Sequence, residues 1–336
     1  MYNSNVIRYI YKEGTKLMTT IRDIAKLSGV SVATVSRIIN HSGKVSETTK
    51  QKVEKIISQT HYQPNQVART LYQKKSKMIG IIIPDLNNRF YAQIIDGIQE
   101  VIQKEGYTAL ISFSTNSDVK KYQNAIINFE NNNVDGIITS AFTIPPNFHL
   151  NTPLVMYDSA NINDDIVRIV SNNTKGGKES IKLLSKKIEK VLIQHWPLSL
   201  PTIRERIEAM TAEASKLKID YLLEETPENN PYISAQSALN KSNQFDAIIT
   251  VNDLYAAEII KEAKRRNLKI PDDFQLVGYD NNILCGYTSP TISTIDQNPK
   301  LIGQTAAHRL LDLMSGNNST RNSIIDVLPI KRDSTL

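Results

Sequence analysis

The stretch from Thr20 to Tyr72, TIRDIAKLSGVSVATVSRIINHSGKVSETTKQKVEKIISQTHYQPNQVARTLY, constrains this chain more than any other. Ile21, Ile24 and Ala25 fall at i, i+3 and i+4, one apolar face of a helix. Thr20 stands where an N-cap belongs. Ser28-Gly29-Val30-Ser31 interrupts the pattern, with Gly29 free to take positive φ. Ser31 then caps a second helix, whose buried face is predicted as Val32, Val35 and Ile39. Ser46 caps a third, with Val53, Ile56 and Ile57 turned inward. Helix, tight glycine turn and helix together form a helix-turn-helix pattern.

The outward face of the second helix carries Ala33, Thr34, Ser36, Arg37 and Asn40. Short side chains at the start of a helix let its backbone sit deep in a major groove. An arginine further along can grip guanine O6 and N7 with two hydrogen bonds. The charge distribution points the same way. Residues 18–77 hold 11 Lys and Arg against 3 Asp and Glu, while the whole chain carries only +6. The cationic excess is therefore local, where phosphate binding would release counter-ions. The bland reading, a small helical domain with a solvated basic face, does not account for that asymmetry.

SVATVSRIIN, VSETTKQKVEKII and YQPNQVARTL resemble the DNA-binding head and hinge of the LacI/GalR regulators, and the resemblance runs from Met18 through nearly all of the chain. It implies DNA contacts from Thr20, Ser31, Val32, Ala33, Thr34, Ser36, Arg37 and Asn40 in the head. It also implies contacts from Asn65, Ala68 and Leu71 in a hinge helix, with Leu71 as a wedge in the minor groove. Pro64 closes the head, because the residue before a proline is pushed out of helical space. The short segment after it is too short for a stable lone helix and is expected to order only on DNA. The head is thus expected over 18–64 and the hinge and linker over 65–77. Residues 1–17 lie outside the family pattern and lack the apolar core of a secretory signal. They are expected to be disordered, or to precede the true start at Met18.

From Met78 the pattern changes to strands alternating with helices. Strands are predicted at 78–84, 108–113, 135–140, 153–158, 166–171, 190–195, 221–225, 246–251, 274–280 and 324–330. Continuous apolar strands between helices imply parallel sheets covered on both faces. Two such runs predict two doubly wound α/β lobes, as in the periplasmic-binding-protein-like core that the resemblance implies. One lobe is expected to take about 78–170 and 297–322, the other about 171–296 and 323–336.

Ligands of such sheets bind beyond the carboxyl ends of the strands. Those ends read Asp85 to Tyr91, Asp158, Asn252-Asp253 and Asp280-Asn281. Mixed carboxylates, amides and aromatic rings suit a sugar, whose hydroxyls pair with the polar groups while its apolar face packs on a ring. Asp and Asn at such places also cap the helices that follow. By resemblance, Phe90, Tyr91, Asp158, Arg206, Asn252 and Asp280 fall on the family's effector pocket. His195 and Trp196 end strand 190–195, where they would face the same cleft. Relatives usually carry Gly three residues after the arginine, where this chain has Ala209.

Enzyme classes find no support. There is no G-x-x-x-x-G-K-[ST], no G-x-G-x-x-G and no G-x-S-x-G. The five histidines lack metal-ligand spacing. No cofactor or metal is expected. The single cysteine, Cys285, excludes an internal disulfide and fits a reducing cytoplasm. No apolar run is long enough to span a membrane. The expectation is a homodimeric, cytoplasmic repressor on a pseudo-palindromic operator, released by a sugar or sugar-phosphate effector. INHSGKVSETT, IGIIIPDLNNRFYAQII and IVSNNTKGG resemble, within the family, the sucrose-operon repressors of Gram-positive bacteria. The alternatives are a catabolite-control regulator that takes a phosphocarrier protein as corepressor, and a sugar-binding transport protein. The second fits residues 78–336 but not the basic head.

Overall fold

A computed structural model of the chain describes residues 11–12, 15–16, 19–40, 42–63, 75–85, 88–114, 119–140, 151–158, 166–185, 187–227, 230–317 and 322–336. The chain divides into two compact units, Met1–Ser76 and Lys77–Leu336. In the first unit, β1 (Tyr11–Lys12) pairs antiparallel with β2 (Thr15–Lys16), where a disordered tail was expected. Tyr11 and Thr15 both favour extended backbone.

Three helices follow, and each begins at the predicted cap. α1 (Ile21–Ser28) starts with a capping box. Thr20 Oγ1 accepts from Asp23 N, and the Asp23 carboxylate accepts from Thr20 N at 2.8 Å. Gly29 ends it at φ +65°. α2 (Val32–Ile39) starts at Ser31, whose Oγ accepts from Thr34 N at 3.1 Å. α3 (Glu47–Thr60) starts at Ser46, whose Oγ accepts from Thr49 N. Ile24, Ala25, Val35, Ile38 and Val53 form the buried centre, with Ile39, Ile56 and Ile57 packed partly against it. The expected inner face of α2 needs one correction. Val32 is 42% exposed and Ile38 takes the inward place. Val32 is the first residue of its helix, too near the end to reach the three-helix centre.

The second unit carries two parallel sheets. The first has the order β13-β7-β6-β5-β3-β4. Its strands are β3 (Met78–Ile83), β4 (Thr108–Phe113), β5 (Gly136–Thr139), β6 (Leu154–Tyr157), β7 (Val167–Ser171) and β13 (Asn322–Ile325), all parallel. The second has the order β11-β10-β8-β9. Its strands are β8 (Lys190–His195), β9 (Asp220–Glu225), β10 (Ala247–Ile249) and β11 (Gln275–Val277), again all parallel. The central strands β3 and β8 are buried nearly throughout, which is why they read as unbroken apolar runs.

Helices α4 (Arg89–Lys104) and α5 (Val119–Asn131) join strands of the first sheet. α6 (Asn173–Lys182) leads into the second, which carries α7 (Pro201–Lys216), α8 (Pro231–Leu239), α9 (Asp253–Arg265) and the short α10 (Leu284–Tyr287). After β12 (Thr294–Asp296), α11 (Pro299–Met314) returns to the first lobe. There its Ile302, Ala306, Ala307 and Leu310 join the core that holds Ile94 and Ile98 of α4. Gly97 and Gly303 let the two backbones touch, since a Cβ on either would strike a carbonyl of the other helix.

The segment expected as one strand over 324–330 is two. β13 forms the edge of the first sheet, and β14 (Leu328–Ile330) pairs antiparallel with β12. Val327 between them is fully buried beside Ile295 in the second lobe's core, while Asp326 stays out and meets Lys175 at 2.6 Å. Residues 322–325 therefore belong to the first lobe's sheet, not with the second lobe where 323–336 were placed. No helix among the described residues is long and apolar enough to cross a membrane.

Candidate effector site and DNA-facing helix

The carboxyl ends of strands from both sheets converge on one cavity of about 470 Å3. Phe90, Tyr91, Asp158, Trp196, Arg206, Asn252 and Asp280 all line it. The first lobe supplies a ring pair at the start of α4, with Phe90 and Tyr91 edge to face at 5.3 Å. The second lobe supplies Trp196, edge to face with Tyr255 at 6.2 Å. Apolar walls on two sides of a polar cleft suit the faces of a sugar ring.

Arg206 is the cation of this site. α7 opens at Pro201, and its first turns send Thr202, Ile203 and Arg206 to the cavity. Arg204 is exposed on the other face. Nε and Nη2 of Arg206 donate to Asn173 Oδ1 at 3.3 and 3.0 Å, and the guanidinium lies 3.6 Å over the Tyr279 ring. Only 8% of Arg206 is exposed, and it forms no ion pair among the described residues. Its remaining N–H donors are thus left for a ligand. Two glycines make this seat. A Cβ on Gly176 would strike the Tyr279 hydroxyl, and one on Gly177 would strike the Arg206 carbonyl and come within 2.9 Å of Ala209 Cβ. The close approach of α6 and α7 is therefore provided by Gly177, and Ala209 packs against it.

The acidic residues have distinct duties. Asp253 is 1% exposed. It accepts from Thr294 Oγ1 and from Asn282 N, each at 2.6 Å, so it braces the loop after β11. Asn252, not Asp253, caps α9, its Oδ1 accepting from Leu254 N and Tyr255 N. Its Nδ2 remains available at the cavity. Asp280 accepts from Gln297 Nε2 at 2.6 Å. Gln297 Oε1 and Trp196 Nε1 have no partner among the described residues, which supplies a spare acceptor and a spare donor in the cavity wall. Asp158 and Asp280 sit at φ +45° and +102°. Such backbone costs about 1–3 kcal/mol per residue.

Burial raises all three carboxyls. It lifts Asp158 to about 6 against the opposing pull of Arg206. It lifts Asp253 to about 6 against the hydrogen bonds from Thr294 and Asn282. Asp280 rises to about 8, from burial first and then from the charge of Asp253. One arginine does not neutralise the group. Among the described residues, no three His, Cys, Asp or Glu side chains could hold a metal ion. His195 does not line the cavity; its Nδ1 lies 2.8 Å from the Trp196 carbonyl.

Asn173, Tyr279, Gln297 and Tyr255 are site residues that were not singled out from sequence. Gln297 follows β12, a strand too short to leave a periodic signal. Asn173 and Tyr279 act by holding Arg206, which no spacing in the chain announces.

In the head, Ser31, Val32, Ala33 and Arg37 are exposed on α2, and Thr34, Ser36 and Asn40 are half-buried. Thr20, Ser31 and Thr34 are also engaged in the caps of α1 and α2. The expected hinge residues Asn65, Ala68 and Leu71 lie outside the described residues.

A three-helix head and a two-lobed core with a cleft at its strand ends are the parts of a ligand-responsive DNA-binding regulator. Residues 20–65 match the model of the bacterial regulatory proteins, lacI family, and residues 185–335 that of a periplasmic binding protein-like domain. The chain is 32% identical over 305 residues to the ribose operon repressor of Bacillus subtilis (strain 168), covering 88% of this chain and 92% of that one. It is 28% identical over 331 residues to the transcriptional repressor PurR of Vibrio cholerae, covering 94% and 98%. Among solved structures it resembles the Lac repressor dimer bound to operator and the anti-inducer ONPF. The TM-score is 0.85 at 25% identity, over 95% of this chain and 100% of that one. The chain belongs to the LacI family of bacterial transcription regulators.

Proposed function

We propose that this protein represses a carbohydrate-utilisation operon. It holds a pseudo-palindromic operator as a homodimer in the cytoplasm and leaves it when a sugar fills the cavity. The observation that carries this reading is the cavity itself. Seven of the expected residues, from six separate places in the chain, line it, with an anchored arginine, carboxylates and aromatic walls. Adjacent hydroxyls can take donors from Arg206 and Trp196 and acceptors from Asp158, Asp280 and Gln297. A cavity of about 470 Å3 lies within the usual range for small-molecule sites. The sugar shifts the DNA-binding equilibrium through its different affinity for two arrangements of the lobes.

For the particular sugar, the stretches quoted above favour sucrose, while the Bacillus subtilis relative is named a ribose operon repressor. The test is operator binding across titrations of both sugars, by the wild type, Arg206→Ala and Asp280→Ala. The sugar that weakens wild-type binding is the effector. Both variants should lose its effect while keeping operator affinity, because removing either partner leaves buried polar groups unpaired at about 1–3 kcal/mol. A wild-type sugar midpoint in both variants would place the pocket elsewhere. Tighter operator binding on addition of a phosphorylated carrier protein, with no sugar effect, would instead favour the catabolite-control reading.

A further inference from the structure

We infer that the effector is an uncharged sugar and that its phosphorylated form is excluded, because four carboxylates line the cavity against one guanidinium already engaged. This rests on the sugar reading above and narrows its chemical class. The charged lining residues are Asp85, Asp158, Asp253 and Asp280 on one side of the balance and Arg206 on the other, and no lysine or histidine joins them among the described residues. Arg206 has two of its nitrogens tied to Asn173 and one face covered by Tyr279.

Helix starts are the other common seats for phosphate, and four helices of eight residues or more, α4, α7, α8 and α9, begin at this cavity. Three of them carry a side-chain cap. Asn88 Oδ1 takes the N–H of Phe90 at the start of α4. Asn252 Oδ1 takes those of Leu254 and Tyr255 at the start of α9. Asn230 Oδ1 takes that of Ile233 at the start of α8. α7 carries no side-chain cap: Pro201 brings no N–H, but Thr202 and Ile203 keep theirs, which with Arg206 are set against the four carboxylates of the lining. A phosphate ester adds between one and two negative charges at neutral pH. In this cavity it would meet carboxylates whose proton affinity is already raised by burial and, for Asp280, by the charge of Asp253. Hydroxyls carry no such penalty, and they can both donate to the aspartates and accept from Arg206.

Matched pairs test this by isothermal titration of the full chain: ribose with ribose 5-phosphate, fructose with fructose 6-phosphate, and sucrose with sucrose 6-phosphate. In the pair that binds, the free sugar should win by about 100-fold or more, the size expected for like charges forced together. Asp158→Asn should narrow that ratio at neutral pH and Asp280→Asn above about pH 8, where its carboxyl ionises, since each then removes a charge at nearly constant shape. If one of them melts early, the other carries the comparison. A phosphorylated member that binds as well as or better than its partner overturns the exclusion and leaves the sugar-responsive repressor standing. An unchanged ratio in both variants overturns the electrostatic basis. If no member of any pair binds, the sugar reading fails and this inference goes with it.

Discussion

On the second helix of the head, Arg37 stands in solvent and makes no ion pair among the described residues. In the cavity, Arg206 is buried, bonded twice to Asn173 and stacked on Tyr279. The two arginines stand under opposite conditions. A side chain that must reach into a groove and shed water only on binding can hang from a small scaffold. A side chain that must present a few N–H groups to a small polar ligand needs a surround that removes every other choice. Changes in the head should therefore separate into those that spare its five-residue core and those that do not. Changes at the cavity should couple binding to stability.

That contrast can be broken at four places. The largest effect is expected at Gly177→Ala. The added methyl meets the Arg206 carbonyl and Ala209, so α6 and α7 must part, at about 3 kcal/mol. Thermal melting of the full chain should show the loss, and the sugar response should weaken with it. An unchanged melt would mean that α7 shifts freely and Arg206 is not held as described.

Next is Val35→Ala. Val35 is fully buried in a centre of only five residues, so a cost of about 2 kcal/mol is a large share of the head's stability. Amide exchange over 21–60 should speed up and operator binding should fall, while sugar binding stays. Loss of sugar binding as well would mean that the two units do not respond separately.

A smaller effect follows from pH. Asp280, Asp253 and Asp158 all bind protons more tightly in the folded chain than unfolded. Folding therefore takes up protons in the window between the ordinary carboxyl range and about pH 8, and stability falls as pH rises through it. Lowering the pH of the ligand-free protein from about 8 to about 6 should stabilise it by on the order of 1–2 kcal/mol. Asp280→Asn should flatten that slope, and a slope of the same size in the variant would assign the protons to other groups.

The smallest change in stability is expected at Arg37→Ala, within about 0.5 kcal/mol, because its side chain packs against no core. Its operator affinity should nevertheless drop by about 1–3 kcal/mol, with relaxed choice at one base. An operator-to-random-duplex ratio equal to that of the wild type would show that Arg37 reads no base.

The head was legible almost to the residue because its signals are local. Thr20, Ser31 and Ser46 cap within three residues, and Gly29 takes the turn. The exchange of Val32 for Ile38 escaped because both fit the helical period, and only tertiary reach separates them. In the core, the strand ends pointed to Asp158, Asn252 and Asp280, since chemistry at the end of a parallel strand has one place to go. The support around them was not legible. Asn173 and Tyr279 lie 33 and 73 positions from the arginine they hold, and Gln297 follows a three-residue strand. The split of 324–330 into two strands hid behind a continuous apolar pattern that serves two different sheets in turn.

Gly176 and Gly177 set a limit on how this sensor can be re-engineered. A library that varies only the positions facing the ligand can exchange rings, amides and acids to suit another sugar. Two positions that line no part of the cavity are closed to it, because the arginine keeps its seat only while those two methyl groups are missing. A selection for new specificity should recover replacements at Trp196 or Asn252 long before it recovers one at 176 or 177. What looks like a free pair of small residues on a helix is closed to any side chain.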